Sequence, residues 1–152
     1  DVGYGQLAWE LRTDERVKVL DRTNIRHLTG DQVGEAIELV VADLSFISLS
    51  LVLPALAAVS NADADFVLMV KPQFEVGKGN LVDGVVRDGA KRTAALNAVC
   101  EAIEAAGLPI SGMMASPIDG EHGNREAIVY GDSTMSLDAR QWKDLAASTW
   151  KE

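Results

Sequence analysis

The stretch Ala64–Lys71, "ADFVLMVK", and its continuation Pro72–Gly79, "PQFEVGKG", decide the fold. Phe66–Val70 is an unbroken apolar run, which suits a strand with little solvent on either face. The run stops on Lys71 and Pro72. Proline has no N–H for a ladder, so the strand ends there, with an ammonium group at its carboxyl end. From the residues alone that lysine has three readings: a solvated strand end, a phosphate clamp, or a catalytic base.

The flanking sequence repeats the pattern. Upstream, Ala36–Phe46, "AIELVVADLSF", predicts a second strand with an apolar centre, Leu39–Ala42, ended by Asp43. Between the two, Ser48 is expected to cap a helix running to Val59, begun or disturbed at Pro54. Further upstream, Asp1 and Val2 would close a strand and Val17–Asp21, "VKVLD", would form another. Gln6–Arg12 reads as a short helix, and Arg22–Gly34 as loop with one helical turn. Downstream, Pro72–Val86 reads as glycine-rich loop. Asp88 is an N-cap for a long helix with Leu96, Val99 and Ile103 on one stripe and Gly107 at its end. Two strands follow, in Leu108–Ile118 and Arg125–Asp132, joined by a short turn at Asp119–Asn124. A polar helix from Ser136 to about Ser148 closes the chain, with Trp142 and Trp150 as docking residues.

Strands alternating with helices imply a mostly parallel sheet with right-handed crossovers. The short connection between the last two strands makes them antiparallel neighbours. The expected fold class is therefore α/β: a doubly wound sheet with an antiparallel edge. Ligands of such sheets sit beyond the carboxyl ends of the strands. Asp1, Asp21, Asp43 and Lys71 all fall at expected carboxyl ends.

The 152 residues, 47% hydrophobic, are enough for one domain with a real core. The longest apolar stretch, Ser48–Ser60, is too short for a membrane span and contains Pro54. The single cysteine, Cys100, rules out an internal disulfide, fits a reducing cytoplasm, and lies on the apolar stripe of the long helix. The net charge of −9 argues against this chain gripping a nucleic acid unaided. The abrupt opening, "DVGYGQLAW", gives the expectation of a piece of a longer protein.

Several side chains could carry chemistry. Asp1, beside Gly3 and Gly5, could accept hydrogen bonds from a ribose diol, or merely cap a turn. Asn24 could read an adenine edge or form a turn. Asp43 and Lys71 could be a structural ion pair. They could also balance charge stabilisation against desolvation, so that the lysine can accept a proton from a hydroxyl. Glu126 could reach Lys71 if the last strand inserts between its neighbours. His122 reads as a loop residue more readily than as a ligand, and His27 lacks evident ligand partners. HExxH, paired CxxC and GxSxG are all absent, and "EVGKGN" does not spell a phosphate loop.

The blocks "DVGYGQLAW", "RTNIRHL", "VVADLSFISL", "VKPQFEVGKG" and "GN" followed by Glu126 resemble the TlyA-type, hemolysin A-like proteins, which are FtsJ-related ribosomal RNA 2′-O-methyltransferases. The resemblance runs from Asp1 to about Tyr130. It implies a Rossmann-like, S-adenosylmethionine-dependent methyltransferase with a seven-stranded sheet, of which residues 1–152 would be a partial domain. The first strand, the glycine-rich loop and an S4-like RNA-binding domain would lie upstream. The family's Lys-Asp-Lys-Glu set falls on Asp43, Lys71 and Glu126, with the first lysine upstream of Asp1. Asp1 matches the ribose-binding acid, Asn24 falls near the adenine position, and Asp43 with Leu44 would border the cofactor. Gly89 stands where the family often has proline. "AIVYG" is less aromatic than the family's strand. The implied partner is ribosomal RNA or a ribosomal subunit in the cytoplasm, not a membrane, and an exposed sheet edge could pair chains into a homo-oligomer. Two other readings stay open: a membrane-lytic protein, as the hemolysin name suggests, and a non-catalytic fragment that binds a ligand or the ribosome.

Overall fold

The computed structural model describes residues 1–150, the Lys78 side chain apart. Its frame is a four-stranded sheet of β1 (Ile37–Ala42), β2 (Ser60–Val70), β3 (Gly112–Ala115) and β4 (Ala127–Gly131), in the order β1-β2-β4-β3. β1 runs parallel to β2, while β4 is antiparallel to both β2 and β3. The α/β class and the antiparallel edge are as expected. So is the insertion of β4, which places Ala127 opposite Val70.

Two expectations are corrected. Only one of the three pairings is parallel, and neither Asp1–Val2 nor Val17–Asp21 is a strand. Pairing partners, not local propensity, explain this. The backbone near Asp1 bonds to residues 20–23, not to the sheet: the Asp1 amine donates to the Leu20 carbonyl (3.0 Å), Arg22 N to Gly3 O and Thr23 N to Asp1 O (both 2.9 Å). With those groups satisfied locally, β1 remains an edge strand among the described residues.

Besides the short helices α1 (Trp9–Arg12), α2 (Gly30–Val33) and α4 (Pro72–Glu75), three helices cover one face of the sheet: α3 (Leu53–Val59), α5 (Gly89–Ala105) and α6 (Ala139–Ser148). Val40, Ala42, Phe66, Leu68, Val70 and Val129 point into that layer and are buried against Leu53, Leu96, Ile103 and Trp142. The alternate residues face the other way. Leu39, Val41 and Met114 remain half exposed or more, an apolar sheet face of the kind that marks an interaction surface.

α5 follows its sequence signals. The Asp88 carboxylate accepts from Ala90 N at 2.8 Å, and Gly107 at φ +74° ends the helix. α6 begins at Ala139 and not at Ser136, because Asp138 makes a capping box with Gln141. Trp142 and Trp150 are buried, as expected for docking residues. Ser48 does not cap through its own side chain; its hydroxyl and Leu49 N both donate to Glu75 (2.6 and 2.8 Å). Glu75 belongs to α4 (Pro72–Glu75), a helical turn in the segment expected to be loop. Pro72 starts that turn, since its fixed φ suits a first helical residue.

Cys100 is fully buried on α5, and burial pushes its thiol up to about 12. The thiolate is the reacting species, so the native protein should resist iodoacetamide at neutral pH and react after denaturation. Rapid stoichiometric alkylation of folded protein would contradict this packing.

Candidate active site

Three strand ends converge. Asp43 follows β1, Lys71 follows β2, and Glu126 precedes β4. Because β4 runs against β2, its beginning lies beside the end of β2, and residue 126 comes to the same rim as residue 71. Lys71 Nζ lies 2.7 Å from Asp43 Oδ1 and 3.4 Å from Ser45 Oγ. The lysine side chain is only 13% exposed, while that of Asp43 is 64% exposed. Glu126 is buried and does not bond Lys71. Its Oε1 instead accepts from Gln73 Nε2 at 2.7 Å. All three residues line one cavity of about 280 Å³.

The charge balance of that cavity bears on what Lys71 does. Among the described lining residues it is the only cation, against Asp43, Asp119, Glu121 and Glu126. A phosphate held by Lys71 would also meet those carboxylates. The mostly buried lysine thus sits beside an exposed carboxylate, an inner partner on the cavity wall and an outer one facing water.

The mouth is aromatic. Phe46 is 87% exposed, has φ +63°, and its ring centroid lies 5.3 Å from that of Phe74. A positive φ on a bulky residue costs energy and persists where the surroundings impose it. Here the loop after β1 is fastened at both ends, by Asp43 to Lys71 and by Ser48 and Leu49 to Glu75.

The turn before Glu126 is held from within. The Asn124 side chain is buried; it accepts from Val86 N at 3.3 Å and donates to the carbonyls of Gly84 (3.1 Å) and Glu121 (3.0 Å). A Cβ at Gly120 would overlap the Glu126 carboxylate. Replacing Asn124 with alanine would strand the buried Val86 N–H and free two partly buried carbonyls, and should cost about 1–3 kcal/mol of stability. Denaturant unfolding checks this; a loss below about 0.5 kcal/mol would show that the turn stands without it.

The other residues singled out in the sequence lie apart from this cavity. Asp1 is exposed, with Oδ1 accepting from Gly3 N at 2.5 Å. Asn24 Oδ1 caps the turn Ile25–His27 by accepting from Arg26 N at 3.1 Å. Leu44 is half buried, packed against the core. Asp21 is bonded by Arg12, which holds its carboxyl below the usual range against the effect of desolvation. Gln73, Glu75, Asn124 and Phe46 were not singled out from the sequence. Gln73 and Glu75 stand two and four residues past Lys71, and a helical turn begun at Pro72 was the signal that could have drawn them in.

Residues 1–133 match the family model described as FtsJ-like methyltransferase. The chain is 53% identical over 131 residues to the 16S/23S rRNA (cytidine-2′-O)-methyltransferase TlyA of Mycobacterium tuberculosis, covering 86% of this chain and 49% of that protein. It is 32% identical over 132 residues to Hemolysin A of Brachyspira hyodysenteriae, covering 86% and 55%. A solved structure from Streptococcus thermophilus, described provisionally as a hemolysin, superposes with a TM-score of 0.85 at 34% identity over 100% of this chain and 57% of that one. The chain thus spans about half the length of the curated relatives it matches.

Proposed function

Since the chain belongs to the FtsJ-like methyltransferase family, we propose that it is the catalytic part of a longer enzyme that methylates ribose 2′-hydroxyls of ribosomal RNA in the cytoplasm. The carrying observation is the contact of Lys71 Nζ with Asp43 Oδ1 at 2.7 Å inside a cavity that Glu126 also lines. The half-length match and the uncovered sheet face support reading residues 1–152 as one portion of a larger protein.

The cofactor implied is S-adenosylmethionine, and the residues fit its nucleoside end. Asp1 keeps Oδ2 for a ribose hydroxyl after Gly3 N has taken Oδ1. Asn24 keeps its amide N–H groups for a base edge after Oδ1 has capped its own turn. The bond from Thr23 N to Asp1 O brings the two residues to one place, and Asp43 and Leu44 would border the cofactor from β1. The amino-acid end would be received by residues outside this chain. When bound, the cofactor supplies an electrophilic methyl group on a good leaving group.

The remaining work is positioning and proton transfer. Lys71 would accept the 2′-hydroxyl proton through its amine lone pair: the O–H bond breaks as an N–H bond forms, and the electron pair stays on the ribose oxygen. Asp43 holds the amine in place and, being exposed, passes the proton on to water. Glu126 supplies fixed negative charge at the far wall. Phe46 offers a ring face on which the base of the entering nucleotide can stack, the usual way a single-stranded base is held. Most of the rate comes from alignment of oxygen and methyl carbon.

The test is nucleoside mass spectrometry of ribosomal RNA treated with the full-length protein and labelled cofactor. The expected product carries the methyl on a ribose, and a 2′-deoxy substitution at the target blocks it. Base methylation, or transfer to the deoxy substrate, would overturn the reading. The hemolysin names of some relatives motivate the lytic alternative. Among the described residues no helix is long and apolar enough to cross a membrane. Leakage of dye from liposomes by pure protein would favour lysis.

A further inference from the structure

We propose that Gln73 is a positioning residue for Glu126, its side-chain amide fixing the orientation of that carboxylate in the cavity. The proposal rests on reading the cavity as the methyl-transfer site. Gln73 Nε2 donates to Glu126 Oε1 at 2.7 Å and is the only side-chain donor to that carboxylate among the described residues. Glu126 is buried. Gly120, with no side chain, leaves the space that the carboxylate occupies. An ionised carboxylate only accepts, so the amide must present its NH2 group to it and turn its carbonyl away. That carbonyl oxygen, Oε1, is buried and has no partner among the described residues.

A buried acceptor without a donor is destabilising. Leucine at this position would remove that orphan oxygen but leave the buried Glu126 carboxylate without its side-chain donor, a costlier loss. The glutamine thus carries one unsatisfied oxygen of its own while it fixes a carboxylate that faces the lysine's cavity. The placement also follows from the chain. Pro72 fixes the first turn of α4, so the register that puts Lys71 beside Asp43 puts Gln73 within reach of Glu126.

The experiment pairs Gln73→Leu with the exchange variant Gln73→Glu/Glu126→Gln in the full-length protein. Gln73→Leu is expected to lower Tm while the protein stays folded at the assay temperature, to leave cofactor and RNA affinity within about twofold, and to slow single-turnover methyl transfer by about tenfold or more, toward the roughly hundredfold that a misplaced group can cost. The exchange variant re-forms an amide–carboxylate bond with the carboxylate on the other residue; it should recover Tm without recovering the rate. A Gln73→Leu rate within twofold of wild type, or an exchange variant that regains the rate along with Tm, overturns the proposal. A second readout is independent of activity. The side-chain amide 15N–1H signal of Gln73 should be shifted and slow to exchange, and should lose both features in Glu126→Leu; an unchanged signal overturns it. Wild-type protein that transfers no methyl group sinks the methyltransferase reading itself, while the amide signal still decides the contact.

Discussion

Replacing Lys71 with alanine should lower methyl transfer by roughly a thousandfold, the middle of the range for loss of a general base, and should leave folding almost untouched. The second expectation follows from the asymmetry of the ion pair. Asp43 is mostly exposed, so removing the ammonium strands a carboxylate in water and not in the core; exposed pairs contribute little to stability. Lys71→Arg should be nearly as inactive, because a guanidinium stays protonated and cannot accept the hydroxyl proton. Affinity for RNA and cofactor should change by no more than a few fold in either variant. Single-turnover rates with calorimetric affinities check this. An arginine variant with substantial activity would show that position 71 needs only a positive charge.

The largest stability effect is expected at Gly131, far from the chemistry. A Cβ there would overlap the carbonyl of Pro109. Backbone cannot move aside as a flexible side chain can, so the strand itself must shift. β4 lies between β2 and β3, with Gly131 opposite Phe66 and Tyr130 opposite Val67. A shift therefore disturbs two ladders and the core face of the sheet. Gly131→Ala should cost about 3 kcal/mol, the upper part of the overpacking range, seen as a lower denaturant midpoint at unchanged slope. Gly112→Ala is the control: a Cβ there meets nothing within 4 Å, although the residue also pairs with β4. Equal effects at the two positions would show that strand propensity, not the Pro109 contact, governs.

What could be read from the sequence was local or bounded by a short connection. Phe66–Val70 announced β2 by its composition, Asp88 and Gly107 bracketed α5, and the short turn after Ala115 paired β3 with β4. The three residues gathered at the cavity were legible because each stands at a strand end, where chain order already fixes its place. Contacts made across long separations were not legible. Gln73 meets Glu126 across 53 residues and Asn124 meets Gly84 across 40, and neither side chain carries a local mark of its partner. Val17–Asp21 shows the opposite limit: its residues favour a strand, but its backbone neighbours are residues near Asp1, and no ladder forms. Phe46 illustrates a third. Nothing in "DLSFIS" predicts a left-handed backbone at a phenylalanine, because that conformation is imposed by fastenings from α4 and β2.

Chemical rescue of single-turnover methyl transfer is the most direct test of the claim that the Lys71 amine takes the proton. With saturating RNA and cofactor, small primary amines added to Lys71→Ala should restore part of the lost rate, because a free amine can enter the vacated space and accept the hydroxyl proton in place of the side chain. A Lys71→Ala rate within twofold of wild type, or one that no added amine raises, would contradict it.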